Sequence, residues 1–255
     1  PGTSLLRFAG AIVATEGFVA GLARPGALAT MLSMGTSCGI RMGCYPYLRD
    51  WVADKAGFSQ KTPGLMFGTG LFAGMAGYWF SCPFFQAKTR LQAATMLGPQ
   101  GVTTSGVVSE IHKVWGEGGL PALFRGASPL VVRGALFSAG QTLGYDGTKT
   151  ALSQRRRLMD DGPALHVLGS VVAAFLATVL SAPADYVMTR YQAAAQVGKP
   201  YAGPVDCLAQ LVRGEGPTAF YRGWSPYFMR IVPVFLTFHP LFEHLRLLAG
   251  MSYMT

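Results

Sequence analysis

Two arginines at matching positions of the chain have the chemistry to bind anions. Arg133 and Arg230 each lie seven residues after the glycine of an Arg-Gly pair, and each lies within an apolar stretch. An ionisable side chain in an apolar helix is a functional candidate, because leaving it unpaired costs several kcal/mol. A guanidinium group binds carboxylates through paired, charge-assisted hydrogen bonds. The alternative is that both arginines only pair with carboxylates or backbone carbonyls of neighbouring helices.

The chain is a tandem repeat with a period of about 100 residues. The segment SCPFFQAKTRLQAA, which begins at Ser81, recurs from Ser181 as SAPADYVMTRYQAA. Further landmarks recur in register at three sites: Glu16, Glu117 and Glu215; Gly26, Gly126 and Gly223; Ser33, Arg133 and Arg230; Tyr45, Tyr145 and Phe242; Arg49, Lys149 and Arg246. This register predicts three units, at residues 1–52, 60–155 and 160–250, of which the first lacks its first helix.

Composition indicates that these units contain membrane helices. Hydrophobic residues make up 50% of the chain and charged residues 13%, whereas soluble proteins carry about 25% charged residues. Five apolar segments, near 27–48, 64–83, 128–149, 164–183 and 226–248, are each about 20 residues long, which is enough to cross a bilayer as a helix. We therefore predict an all-α transmembrane fold.

Glycines at a spacing of four residues recur within two of these segments. They are Gly35, Gly39 and Gly43 in the first segment and Gly70 and Gly74 in the second. This spacing allows close approach between the backbones of membrane helices. We expect these glycines to serve helix packing.

The residue pattern argues against several classes of function. The net charge of +9 favours contact with anionic lipid headgroups and anionic solutes. The basic residues are scattered instead of forming one stripe with interleaved aromatics, so nucleic-acid binding is not indicated. No histidine or cysteine spacing matches a metal site, and no catalytic triad or phosphate-binding loop is recognisable. We expect neither enzyme activity nor a cofactor.

The repeated prolines and charges resemble the mitochondrial carrier family, whose repeat carries P-x-[DE]-x-x-[KR]-x-[RK] at the end of each odd helix. The segments Arg133–Lys149 and Arg230–Arg246 are similar to the dicarboxylate, 2-oxoglutarate and uncoupling-protein branch. The resemblance implies a three-fold pseudosymmetric helix barrel with short amphipathic helices on the matrix side, in the mitochondrial inner membrane, with cardiolipin as a candidate lipid partner. It also implies that the first transmembrane helix is absent from this sequence.

The resemblance also assigns residues to a central substrate site and to two gates. Substrate-contact positions are Ser33, Arg133, Gly134 and Arg230. The matrix gate positions are Phe85, Lys88, Asp185 and Met188; here Phe85 and Met188 would face each other as an apolar pair, and neither Lys88 nor Asp185 would have a partner within the chain. The opposite gate comprises Arg49, Asp146, Lys149, Glu243 and Arg246, with Pro46 in place of an acid, so at most two cross-repeat pairs would form there.

Two functions are consistent with this pattern. One is a carrier that exchanges a small anion such as a dicarboxylate or oxoacid. The other is a carrier-like protein without transport activity that serves as a structural or accessory subunit of a respiratory-chain or ATP-synthase assembly. Ser33, Pro46 and the altered matrix gate favour the second reading, and the two arginines in register favour the first.

Overall fold

The computed structural model describes residues 27–57, 59, 62–96, 106–124, 127–155, 162–196, 201–248 and 250. These residues form seven α-helices, a π-helical turn at Thr150–Arg155 and a 3-10 turn at Pro217–Tyr221, and they include no strand. The α-helices are α1 Ala27–Ala56, α2 Pro63–Met96, α3 Val107–Leu123, α4 Ala127–Lys149, α5 Pro163–Gln196, α6 Pro204–Glu215 and α7 Trp224–Leu248. The predicted all-α architecture is confirmed for this part of the chain.

The five apolar segments correspond to the five long helices α1, α2, α4, α5 and α7. The shortest of them, α4, has 23 residues, and a helix of about 20 residues spans a bilayer. Within the part of the chain that the structure describes, two stretches are apolar enough by length and composition to cross a membrane, Ala164–Tyr191 and Pro217–Leu248. Glycine, serine and threonine dilute the apolar character of the other three helices, so their sequences alone identify them less clearly as spans.

The chain divides into two compact units. The first takes in the described parts of Pro1–Gly39 and Trp79–Ala127, and the second those of Ile40–Tyr78 and Ser128–Thr255. In the first unit, Ala29, Ala87 and Val107 form a small apolar core. In the second unit, α5 packs against α6 and α7.

Close packing through glycine organises the second unit. A Cβ atom at Gly140 would lie 2.7 Å from the Cα of Ala177, and one at Gly144 would lie 2.5 Å from the Cα of Ala173, so α4 lies directly against α5. A Cβ atom at Gly70 of α2 would lie 2.1 Å from Oγ1 of Thr142, and one at Gly74 would lie 2.6 Å from the Cβ of Ser138, so α2 also lies close to α4. The expected packing role of Gly70 and Gly74 is confirmed, because a side chain at either position would overlap α4.

For Gly35, Gly39 and Gly43 the expected packing role stays a prediction. Among the residues that the structure describes, nothing lies within 4 Å of a Cβ atom built at any of these three positions. Glycines four residues apart give a helix a smooth face, but the face packs closely only where a partner helix lies against it.

The Glu-Gly landmarks lie where the short helices are interrupted or end. In the first unit, Glu117 accepts hydrogen bonds of 2.6 and 2.7 Å from Arg90. In the second unit, Glu215 accepts hydrogen bonds from Arg190 at 3.1 Å and from Tyr186 at 2.8 Å. Each short helix is thus tied to the end of a long helix within its own unit. The landmark at Glu16 lies outside the described residues.

Cys207 is part of the buried apolar face of α6. Its side chain is fully buried in a core with Val187, Leu211 and Phe220. Burial raises the pKa of the Cys207 thiol, so this group stays protonated at neutral pH and packs as a small apolar side chain.

The packing predicts that Gly144→Ala destabilises the protein. The added methyl group would overlap the backbone of Ala173, and such overpacking costs about 1–3 kcal/mol. Thermal unfolding of the purified protein in mild detergent should show a lower Tm for this variant. Gly43→Ala is the matched control, since its Cβ atom meets nothing; equal melting temperatures for the two variants would contradict the packing argument.

Candidate functional site: two charged clusters in the second unit

Two groups of polar side chains lie among the apolar helices of the second unit. We call the first the acid-base cluster; it comprises Tyr45, Arg49, Tyr145, Asp146, Lys149 and Glu243. We call the second the arginine cluster; it comprises Arg133, Ser181, Asp185, Tyr227 and Arg230. Each cluster comprises residues from three helices. The contacts within a cluster therefore hold its three helices together.

In the acid-base cluster, α1 provides two partners for a buried carboxylate on α4. The Tyr45 hydroxyl donates a hydrogen bond of 2.6 Å to Oδ2 of Asp146, and Nη1 of Arg49 lies 3.8 Å from the same oxygen. Asp146 has no solvent-exposed surface. Burying a carboxylate without a partner would be very costly, so these contacts hold α1 and α4 in one register.

A second carboxylate, that of Glu243 on α7, is bound in the same way by two side chains of α4. Lys149 Nζ donates to Oε1 of Glu243 at 3.2 Å, and the Tyr145 hydroxyl lies 3.2 Å from that oxygen. The Tyr145 hydroxyl also lies 2.8 Å from Nδ1 of His166. One hydroxyl carries one proton, so when Tyr145 donates to Glu243, His166 must carry its proton on Nδ1 and donate to Tyr145.

The third repeat of this arrangement is incomplete. In all three repeats a cation lies over an aromatic ring of the preceding helical turn, with Arg49, Lys149 and Arg246 at 5.7, 5.7 and 5.9 Å from the respective ring centroids. The third ring belongs to Phe242, which has no hydroxyl group, and Pro46 offers no carboxylate. Ion pairs between repeats lie in this cluster at Asp146, with Arg49, and at Glu243, with Lys149.

Tyrosine and histidine side chains take part in this cluster in a way that the sequence motifs did not predict. Tyr45 and Tyr145 were recognised as landmarks in register, and that register was the available signal that they share a task. Nothing in the sequence pattern singled out His166, because its contact depends on how α5 packs against α4.

In the arginine cluster, Arg133 of α4 contacts both α5 and α7. Its Nε donates to Oδ1 of Asp185, and its Nη2 donates to the Tyr227 hydroxyl at 3.4 Å. The hydroxyl groups of Tyr227 and Ser181 are 3.2 Å apart. The guanidinium group of Arg230 lies 5.5 Å from the centre of the Tyr227 ring, within the range of a cation-π contact. Tyr227 thus joins the two arginines.

The expectation that Asp185 has no partner within the chain is wrong. Asp185 forms an ion pair with Arg133, a residue that the sequence analysis placed at the substrate site. The expectation followed the register of a single gate layer. Close packing of α4 on α5 lets the long arginine side chain reach across from another layer.

Gly134 makes room for an aromatic side chain next to Arg133. A Cβ atom at this position would lie 2.1 Å from the Tyr78 ring, so the Tyr78 ring packs directly on the backbone of α4. The predicted contact of Gly134 with substrate remains a prediction.

The remaining predicted positions are Ser33, Phe85, Lys88 and Met188. Ser33 belongs to the first unit, is fully buried and donates its hydroxyl to the carbonyl of Thr30 at 3.0 Å. Lys88 lies over the Phe85 ring of its own helix at 5.5 Å. Met188 is half-buried on α5 in the second unit. The apolar contact expected between Met188 and Phe85 remains a prediction. Among the described residues, no group of acidic, histidine or cysteine side chains is arranged to hold a metal ion.

The burial of the acid-base cluster predicts a non-additive effect on stability. Lys149→Met leaves the Glu243 carboxylate buried beside a neutral side chain, and breaking a buried ion pair costs about 3–5 kcal/mol. The double variant Lys149→Met with Glu243→Leu removes both charges, so it should regain most of the lost Tm. Thermal unfolding in detergent measures both, and additive losses would contradict a direct pairing of these two side chains.

Comparison with known proteins identifies the fold family. The mitochondrial carrier protein family model matches residues 59–156 and 160–252. A Dictyostelium discoideum protein named "Probable mitochondrial 2-oxoglutarate/malate carrier protein" is 34% identical over 88% of this chain and 70% of its own length. The mitochondrial oxaloacetate transport protein of Saccharomyces cerevisiae is 32% identical over 76% of this chain and 61% of its own length.

An uncoupling protein is similar to the same extent. The mitochondrial brown fat uncoupling protein 1 of Canis lupus familiaris is 31% identical over 75% of this chain and 61% of its own length. The chain therefore spans between 61% and 70% of the length of these three relatives. The resemblance predicted from the sequence motifs is confirmed, including its branch: the chain belongs to the mitochondrial carrier family, whose members are membrane transporters.

Proposed function

We propose that this protein exchanges a small anionic metabolite, such as a dicarboxylate or an oxoacid, across the mitochondrial inner membrane. The observation that carries the proposal is the position of Tyr227, whose hydroxyl contacts Arg133 and whose ring lies under Arg230. Two guanidinium groups held on one aromatic side chain form a compact site for a carboxylate.

The two arginines differ in what they can offer a solute. Arg230 is exposed and is held on an aromatic face, which orients its guanidinium group and leaves its N-H donors available. Arg133 is largely enclosed, with 15% of its side chain exposed, and its contacts fix the direction of its guanidinium plane. We infer that Arg230 makes the first contact with an anion and that Arg133 orients it.

The relatives are consistent with anions of this kind. Their names refer to 2-oxoglutarate, malate and oxaloacetate, all of which carry carboxylates. The acid-base cluster supplies two buried ion pairs that separation of α1, α4 and α7 would break. A transporter must keep its two end states within a few kcal/mol of each other, and two ion pairs balanced against their own desolvation meet that requirement.

Replacing Arg230 with alanine should abolish exchange. Uptake of radiolabelled malate into malate-loaded liposomes would measure the activity of the purified protein. The anion loses its exposed guanidinium partner in this variant, so we expect a loss of at least about tenfold. Arg213→Ala removes another exposed arginine, from the last turn of α6, and should leave exchange unchanged. Normal exchange by Arg230→Ala would disprove the role assigned to Arg230.

A second candidate function is that of a structural or accessory subunit in a respiratory-chain or ATP-synthase assembly. Two observations favour it: the Ser33 hydroxyl is used within its own helix, and Asp185 neutralises Arg133. On this reading the arginines are packing charges.

A native gel with mass spectrometry of the band, after extraction in mild detergent, separates the two functions. A carrier should migrate alone. Migration in a fixed ratio with a respiratory or ATP-synthase assembly would favour the accessory subunit.

A further inference from the structure

We propose that the Tyr227 hydroxyl is a specificity determinant of the arginine cluster, which donates a hydrogen bond to an oxo or hydroxyl oxygen on the carbon next to a solute carboxylate. The cluster then binds a dicarboxylate with this oxygen in preference to the same dicarboxylate without it. The inference rests on the proposed function, because it takes the arginine cluster to be the anion site. It adds one neutral contact to those of the two guanidinium groups.

The first step is the position of the Tyr227 hydroxyl. Tyr227 is half-buried on α7, whereas Arg230 on the same helix is exposed. The guanidinium group of Arg230 lies 5.5 Å from the centre of the Tyr227 ring, and the hydroxyl group extends from the edge of that ring. The hydroxyl is therefore within reach of a substituent on the carbon next to a carboxylate bound at Arg230.

The second step is the direction of the hydroxyl proton. Nη2 of Arg133 donates to the Tyr227 oxygen at 3.4 Å, and the Ser181 hydroxyl lies 3.2 Å from the same oxygen. Ser181 is fully buried, so it does not contact a solute, but it can donate to Tyr227. A hydroxyl group can accept two hydrogen bonds and donate one. When Arg133 and Ser181 both donate to Tyr227, its proton is left for a third partner.

The third step is that this donor suits a neutral oxygen. An oxo oxygen accepts hydrogen bonds and donates none, so an acceptor such as the Asp185 carboxylate cannot bind it. Arg133 already uses Nε for Asp185 and Nη2 for Tyr227. A hydroxyl group that accepts from a cation is polarised and donates more strongly. Arg133 thus strengthens the contact between Tyr227 and an oxo oxygen.

2-Oxoglutarate and glutarate are the probes for this inference. They have the same number of carbons and carboxylates and differ by one oxo group, so charge does not distinguish them. Binding to the purified full chain in mild detergent is measured as protection against thermal unfolding over a range of probe concentrations, which yields a dissociation constant without requiring transport. A polar site disfavours an analogue that leaves its donor without a partner, so the wild-type protein should bind 2-oxoglutarate about tenfold more tightly than glutarate.

Tyr227→Phe should abolish this preference. The variant removes the hydroxyl group and keeps the ring under Arg230, so the ratio of the two dissociation constants should fall by on the order of tenfold. A purely structural role of the hydroxyl would weaken both probes alike and leave the ratio unchanged. Tyr221→Phe is the matched control and should also leave the ratio unchanged, because the exposed Tyr221 hydroxyl contacts only the carbonyl of Val179, at 3.4 Å, among the contacts described.

Tyr227→Met keeps the test decisive if Tyr227→Phe does not fold. Methionine also lacks a hydroxyl group and adapts to irregular spaces, so this variant should likewise lose the preference, with weaker binding of both probes because Arg230 loses its ring. Equal binding of the two probes by the wild type would overturn the inference and leave the proposed anion site in place. A preference that persists without the Tyr227 hydroxyl would overturn the inference, as would protection of the wild type by neither probe. A preference that depends on Tyr227 in a protein without exchange activity would support the inference while refuting the proposed function.

Discussion

Charges that lie between apolar helices must be paired, and this constraint fixes the arrangement of the second unit. Taking a carboxylate out of water costs several kcal/mol, which only well-placed partners recover. Asp146 and Glu243 are both almost completely buried, and each receives a cation and a tyrosine hydroxyl from neighbouring repeats. The helices α1, α4 and α7 can therefore be displaced only by breaking these contacts together. The net stabilisation from such pairs is small, which suits a contact that has to open and close.

The pairing depends in turn on how closely the helices approach one another. Gly140 and Gly144 allow α4 to lie against Ala177 and Ala173 of α5, and at that separation a single side chain can bridge two helices. Tyr145 reaches His166 and Arg133 reaches Asp185 across this same contact. The glycines thus contribute to the charged clusters indirectly, because bulkier residues would move the partners out of hydrogen-bonding range.

The sequence predicted the helices well and the contacts unevenly. Repeat register and apolar segment length were enough to place α1, α2, α4, α5 and α7, because both follow from local sequence. The family resemblance also assigned Arg49, Asp146, Lys149 and Glu243 to one gate layer without saying which would pair; the structure pairs Arg49 with Asp146 and Lys149 with Glu243. The resemblance did not anticipate that Asp185 pairs with Arg133, since this contact joins two layers and depends on the separation of α4 from α5. The spacing of Gly35, Gly39 and Gly43 has a related limit: a smooth helix face does not specify which helix packs on it.

The exposure of the ion pair between Arg133 and Asp185 bears on the choice between a carrier and a structural subunit. A pair kept only for packing would be most useful where it is fully buried and specifies register, as at Glu243, where both partners are 2% exposed. Asp185 is 33% exposed, and accessible pairs contribute only about 0 to 1 kcal/mol to stability. Arg230, which lies on the ring of Tyr227, is also exposed. Stability gives little reason to keep three charged side chains at one accessible tyrosine, whereas recognition of an anionic solute gives a direct one.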